Sequence, residues 1–258
     1  RHSTREDSVR RLEKLIERVI GRVNVNLRDF GFDAGPYLRG LIQPEQFTQY
    51  YAFYGLTTEH PLFIHFEHAS LSGSYFLGRC KVRHAVLYKS DIRGDELKRK
   101  GAPFQAKGLD IELHEDETVR IEDSFLVKTL VHNFSHDPEG PESFPIRNTA
   151  ALHYANIHGS PSRGLFLGPF ATVDLTTVRN AIIGAFSYVQ VGELSNAVVP
   201  PGRILIRAPG NFEFRYDFPK SVLRRYVRLT PGTAPEGVMA DLLERYKSDF
   251  EKVFGYLY

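Results

Sequence analysis

The sequence predicts a mainly β protein: a left-handed parallel β-helix of hexapeptide repeats, with an N-terminal helical extension and a C-terminal α-helix. Three observations support this class. The middle of the chain, about 66–210, repeats at a short period and is rich in Val, Ile, Thr and Phe. Each of the two ends instead carries apolar residues at helical spacing. The expected domains are 1–65 for the extension, 66–212 for the β-helix, and 213–258 for the C-terminal segment, whose helix would pack on the β-helix.

The extension begins with an amphipathic pattern. Apolar residues recur at helical spacing between Arg, Lys and Glu, namely Val9, Leu12, Leu15, Ile16, Val19, Ile20 and Val23. This pattern predicts a helix over about 6–23. The aromatic-rich stretch PEQFTQYYAFYGL that follows predicts a second helix or an irregular packing layer.

The repeat is clearest in the blocks LGPFAT, VDLTTV, IGAFSY and VQVGEL, which begin at Leu167, Val173, Ile183 and Val189. Each block starts with an aliphatic residue, which would point into a narrow triangular prism. The fifth place is small or polar (Ala171, Thr177 and Ser187, with Glu193 as an exception) and would fit a tight corner. Stacked coils then bury a continuous apolar column. An earlier set has the same texture: Leu77, Val82, Val86 and Ile92. The competing interpretation is an ordinary antiparallel sandwich.

Two charged or proline-rich stretches interrupt the repeat. Residues 96–117 and 136–148 are both predicted to be loops that leave the coil at its corners. After the repeat, apolar residues on one face predict a helix over about 235–254.

Composition excludes several classes of function. With 33 basic and 31 acidic residues, the net charge of +2 gives no electrostatic reason to expect nucleic acid or an anionic membrane as a partner. The single cysteine, Cys80, excludes an intrachain disulfide and a cysteine-based zinc cluster. No apolar run approaches the ~18 residues that span a bilayer. We therefore expect a cytoplasmic protein that acts on a small-molecule substrate.

The candidate chemistry lies in four of the ten histidines. His153 and His158 would diverge within one chain. Across a threefold contact, however, His153 of one chain could meet His158 of the next chain. His132 lies about one coil earlier and could stack near His158, with His136 as a competing choice. Three imidazoles with one open position form the ligand set of a catalytic zinc, although iron(II) and cobalt also accept imidazole. The alternative for each ring is a hydrogen-bonded corner histidine.

Four segments resemble the gamma-class carbonic anhydrases and their homologues over about 75–210. They are DIRGDE at 91–96, TLVHNFSHDPEG at 129–140, HYANIHG at 153–159 and LGPFATVDL at 167–175. The resemblance implies a homotrimer with zinc at a subunit interface, where metal-bound hydroxide attacks carbon dioxide. It also implies that His132, His153 and His158 are the metal ligands, shared between neighbouring subunits.

The same resemblance assigns roles to three residues of the first segment. Arg93 and Asp95 would form a structural ion pair between subunits, and Glu96 would lie near the metal-bound water for proton transfer. The sequence departs from the family at Leu126, where the family has a glutamine, and in a longer loop before His132.

Two other functions are compatible with the repeat. A hexapeptide acyltransferase would bind acyl-coenzyme A between subunits and use His153 or His158 as a general base toward an acceptor hydroxyl. A trimeric scaffold without catalytic activity would use the coil as a platform.

Overall fold

The protein folds as a left-handed parallel β-helix with an N-terminal helix on one of its faces. The computed structural model describes residues 4–55, 64–106, 108–208, 210, 212–219 and 221. The predicted C-terminal helix at 235–254 lies outside the described residues. Within this part of the chain, no helix is long and apolar enough to cross a membrane.

The first sheet is one face of the coil. Its hydrogen-bonded order is β1-β3-β6-β11-β13-β15-β17-β19-β20, parallel except for the last pair. Its strands are β1 (Phe53–Gly55), β3 (Tyr75–Gly78), β6 (Asp91–Gly94), β11 (Leu130–His132), β13 (Asn156–His158), β15 (Thr172–Asp174), β17 (Tyr188–Gln190), β19 (Arg203–Ala208) and β20 (Phe212–Asp217).

The second sheet bends around a corner and forms the other two faces. Its strands are β2 (Ile64–Glu67), β4 (Cys80–Arg83), β5 (Val86–Tyr88), β9 (Thr118–Glu122), β10 (Phe125–Val127), β12 (Ser143–Ala151), β14 (Ser162–Leu167), β16 (Thr177–Ile183) and β18 (Glu193–Val199). A separate hairpin consists of β7 (Pro103–Ala106) and β8 (Leu109–Glu112).

Each regular coil takes sixteen residues. Thr172 pairs with Tyr188 and Tyr188 with Ile204, a step of 16 each time. The predicted coil, with three sides of six residues each, is therefore longer than the observed coil. The chain turns at three columns of left-handed residues with φ between +44° and +79°: Asn148, Gly164, Asn180 and Asn196; Tyr154, Phe170, Phe186 and Gly202; and Gly159, Leu175 and Gly192. These columns are the corners of the prism.

The core confirms the predicted inward positions. The four residues that begin the repeat blocks, Leu167, Val173, Ile183 and Val189, are fully buried in one apolar cluster. The earlier set is only partly correct: Val82 and Ile92 lie in this cluster, but Val86 points outward and packs in a second cluster under the N-terminal helix. Leu77 is not inward either, because its neighbour Phe76 fills the core position in register with Ile92. Leu126, at the position of the family's glutamine, is fully buried in the first cluster.

The N-terminal helix α1 (Arg5–Leu27) covers the outer surface of β5, β10 and the last residues of β12 and β14. It begins at Thr4, whose side chain caps the backbone of Asp7, and it buries Val19, Ile20, Val23 and Leu27. Its last turn brings Asn26 against the corner at Gly164, where an added Cβ would lie 2.6 Å from the Asn26 Cβ. The 3-10 turn Arg28–Phe30 and the short helix α2 (Gly35–Leu38) follow it. In the aromatic-rich stretch that was predicted as a second helix or a packing layer, the described residues form the 3-10 turn Pro44–Thr48 and strand β1.

The two interruptions leave the coil as expected, but their content differs from the prediction. Residues 96–117 contain the β7–β8 hairpin. The second predicted loop, 136–148, ends early, because β12 already begins at Ser143 and Pro145 is in register with Arg120. Asp137 in this loop is buried and pairs with Arg163 and Arg179 at 3.2 and 3.4 Å, which holds the loop on the second sheet.

Candidate functional site

The site lies on the outer side of the first sheet, next to the corner at Gly159. The middle residues of β11, β13 and β15 (Val131, Ile157 and Val173) are buried in the core, so the residues that flank them face outward. The parallel register stacks the last residues of these strands in one column. From coil to coil, the column contains Arg93, His132, His158 and Asp174.

His132 and His158 lie side by side in this column. They are direct register partners, and their ring centroids are 5.4 Å apart. This contact arises because the loop after His132 leaves the coil and returns, so that 26 residues of sequence separate two adjacent coils. The sequence spacing predicts the same neighbourhood.

His158 is held by a carboxylate from the next coil. Its Nδ1 lies 2.6 Å from the Asp174 Oδ1, and the side chains are 34% and 19% exposed. Because an ionised carboxylate can only accept, Nδ1 carries the proton and Nε2 is left with its lone pair. The pair can therefore accept a proton at Nε2 and stabilise the resulting imidazolium.

Two carboxylates flank His132. The His132 Nε2 lies 3.6 Å from the Asp95 Oδ1 and 3.8 Å from the Glu96 Oε1. Arg93 does not pair with Asp95 within one chain, but with Asp91 at 3.2 Å. The predicted ion pair between Arg93 and Asp95 of neighbouring subunits, and the proton-transfer role of Glu96, stay predictions.

His153 lies at a different corner, beside the left-handed Tyr154. It is 3% exposed, and its Nδ1 has no hydrogen-bond partner among the described residues. Burial lowers the pKa of His153 from 6.5 to about 4, with a smaller contribution from the nearby Lys128 ammonium. One chain therefore brings together two of the three predicted ligands. In the described residues no group of three His, Cys, Asp or Glu side chains is arranged to hold a metal ion.

His136 lies at the corner of Gly159, on the loop that follows His132. Its ring contacts Gly159, where an added Cβ would come within 3.4 Å of it. Burial lowers the pKa of His136, and the nearby Lys98 ammonium lowers it further. Lys98 itself pairs with the buried Glu117 at 3.6 Å and donates to the Ser135 carbonyl. This pair fixes the start and the end of the hairpin excursion against the loop that carries His136.

Two residues of the site were not predicted from the sequence. Asp174 accepts a hydrogen bond from the His158 Nδ1, and the Tyr188 hydroxyl donates to the second oxygen of Asp174 at 2.7 Å. Asp174 is recoverable once the coil length is known, because it lies 16 residues after His158 and is its register partner.

Comparisons with known proteins agree with this architecture. Residues 109–231 match the family model for the hexapeptide repeat including loop. A crystal structure from Desulfovibrio desulfuricans G20, provisionally described as an acetyltransferase, is 53% identical, with a TM-score of 0.85. That match covers 95% of this chain and 53% of the other, so this chain spans about half the length of that protein.

A structure from Bacillus cereus, also provisionally described as an acetyltransferase, is 12% identical with a TM-score of 0.33, over 69% of this chain and 84% of the other. No curated protein matches the sequence. The match to the hexapeptide-repeat model thus overlaps the coils of the left-handed parallel β-helix from β8 onward.

Proposed function

We propose that the protein is an acyltransferase in which His158 is the general base and coenzyme A thioester is the acyl donor. The observation that carries the proposal is the 2.6 Å contact between the His158 Nδ1 and Asp174, which leaves the lone pair on the Nε2 of a side chain that is 34% exposed. A positioned imidazole with a free nitrogen is the single side chain that this chemistry requires.

The reaction needs one proton to be moved twice. His158 Nε2 takes the proton from the hydroxyl or amine of a small acceptor while that atom attacks the thioester carbonyl. Asp174 stabilises the imidazolium that forms, since its charge lies against Nδ1–H. When the tetrahedral intermediate collapses, the C–S bond breaks, and the imidazolium returns the proton to the departing thiolate.

Two further features support this function. The relative at 53% identity is provisionally described as an acetyltransferase, and its match covers nearly the whole of this chain. Acyl transfer by general-base catalysis also needs only one histidine. The described chain provides that histidine together with the carboxylate that orients it. We expect the site to work in a homotrimer in the cytoplasm, with the donor bound in the cleft between subunits.

A metal-dependent reaction of the gamma-class carbonic anhydrase type is the second candidate. The observation that favours it is the neighbouring pair His132 and His158, whose rings are 5.4 Å apart. His153, at another corner of the same chain, would have to be contributed by a neighbouring subunit. The Asp174 contact is compatible with this site too, because metal-binding imidazoles usually donate their second nitrogen to a carboxylate. Bound zinc would supply a hydroxide at neutral pH.

One set of measurements separates the two functions. Acyl transfer is followed by thiol release from acetyl-coenzyme A with a panel of hydroxyl and amine acceptors, with and without a metal chelator. The proposal expects activity that resists the chelator and is lost in His158→Ala but retained in His132→Ala. Bound zinc in the purified protein, with carbon dioxide hydration abolished by either substitution and no thiol release, would replace it by the second candidate.

A further inference from the structure

Three successive coils of the first sheet contribute one side chain each to a continuous hydrogen-bonded chain. His158 is on β13, Asp174 on β15 and Tyr188 on β17, and these strands are direct neighbours in parallel register. The His158 Nδ1 lies 2.6 Å from Asp174 Oδ1, and the Tyr188 hydroxyl lies 2.7 Å from Asp174 Oδ2. Each oxygen of the carboxylate therefore has a different donor, which fixes its plane as well as its position.

The Tyr188 hydroxyl has a second neighbour, the Gln190 side chain, at 3.0 Å. A phenol carries one proton, so it cannot donate to both Asp174 and a Gln190 carbonyl. Donation to the ionised carboxylate is the stronger bond, and the Gln190 amide, turned so that its nitrogen takes the place of Oε1, then donates to the phenol oxygen. This order runs from Gln190 to Tyr188 to Asp174 and satisfies every member.

The phenol keeps its proton under all conditions in which the imidazole could act as a base. Burial raises the pKa of Tyr188 to about 12, and the bond to the Asp174 carboxylate raises it in the same direction. Tyr188 is therefore a permanent donor to Asp174 and does not exchange a proton with it.

We propose that Tyr188 is a positioning residue, which holds the Asp174 carboxylate so that His158 keeps its proton on Nδ1 and its lone pair on Nε2. The inference rests on the proposed function for its kinetic consequence, but the geometry of the chain of bonds stands independently of the acyl acceptor. Tyr188 acts through Asp174, and the proposal does not place it on the substrate.

The neighbours of His158 define what else could orient the ring. The charged or titratable groups around it are Asp174 on the next coil, His132 on the preceding coil and His136 on the loop. Of these groups, Asp174 alone has a recorded hydrogen bond to the ring in the described residues. If the Asp174 carboxylate lost its fixed orientation, His158 could therefore populate the other neutral tautomer.

The test compares Tyr188→Phe with Tyr75→Phe as a matched control. Both substitutions remove one phenol oxygen from the outer side of the same sheet, and Tyr75 occupies the same register column, on a coil before those of His132 and His158. For Tyr188→Phe we expect kcat for thiol release to fall about three- to tenfold, with KM changed less than about twofold. Tyr75→Phe should retain both constants.

A spectroscopic measurement keeps the inference separate from the reaction. The ¹⁵N signals of the His158 ring, assigned by their loss in His158→Ala, report which nitrogen carries the proton. We expect a single Nδ1–H form in the intact chain and in Tyr75→Phe, and a mixture in Tyr188→Phe. An unchanged tautomer in Tyr188→Phe would overturn the positioning role, even if acyl transfer is found. Absence of acyl transfer in the unsubstituted protein, with the tautomer change present, would overturn the proposed function and leave the positioning role standing.

Discussion

Asp174→Asn tests the pair on which the proposed chemistry depends. The substitution keeps the size of the side chain and removes its charge. The asparagine can offer its amide nitrogen to the His158 Nδ1 at the present 2.6 Å separation, and the ring then prefers to carry its proton on Nε2. In that tautomer the nitrogen that faces the open side has no lone pair, and the imidazolium has lost its counter-charge.

The expected loss follows from these two effects together. General-base catalysis contributes about 10²–10⁴-fold, and the pair is partly exposed, so we expect kcat/KM to fall by about 10²–10³-fold. That range corresponds to about 3–4 kcal/mol of transition-state free energy. The assay is thiol release from acetyl-coenzyme A in the presence of a chelator.

Asp91→Asn is the matched control for this experiment. Asp91 lies on the same sheet and pairs with Arg93 at 3.2 Å, but it belongs to an earlier coil than His132. It should retain activity within about twofold. A decrease in Asp174→Asn of less than about threefold, with the fold intact by circular dichroism, would refute the assignment of His158 and Asp174 as the catalytic pair.

Two further predictions concern stability. Because the folded protein lowers the pKa of His153 from 6.5 to about 4, unfolded chains bind more protons in this interval. The free energy of unfolding should therefore fall by up to about 3 kcal/mol between pH 6.5 and 4, and urea titrations of His153→Gln should lack this component; equal pH dependence in both proteins would contradict it. Gly164→Ala should destabilise by about 1–3 kcal/mol more than Gly192→Ala, since both have positive φ but an added Cβ meets Asn26 at Gly164 alone of the two. Thermal unfolding measures the difference. Equal midpoints for the two variants would show that α1 can move away from the added Cβ without loss of stability.

The parts of the fold set by periodic burial were predictable from the sequence. Leu167 and Val173 are inward because aliphatic residues recur at the spacing of the coil, and α1 follows from its apolar stripe. Val86 was assigned to the wrong side, since a face covered by a helix is apolar on both surfaces and alternation no longer distinguishes them.

The part of the candidate site that follows from the order of the coils was predictable from the sequence. The part that follows from the exact number of residues in each coil was not. His132 and His158 could be placed together once the loop between them was discounted. Asp174 was read as one member of a repeat block, because six-residue sides place a different residue beside His158 than the sixteen-residue coil does. Arg93 pairs with Asp91 within the chain, two residues away on the same strand, and the expected pair of Arg93 with Asp95 of a neighbouring subunit stays a prediction.

The sixteen-residue coil also determines which changes of chain length the site can tolerate. A duplicated coil placed after Val199 would lengthen the prism and leave His158, Asp174 and Tyr188 in contact. The same unit inserted between His158 and Asp174 would separate them by two strand spacings, about 10 Å, and break the pair without exposing the core. Growth of such a solenoid is therefore neutral at its end and disruptive within three consecutive coils, so lineages that differ in coil number should differ outside this segment.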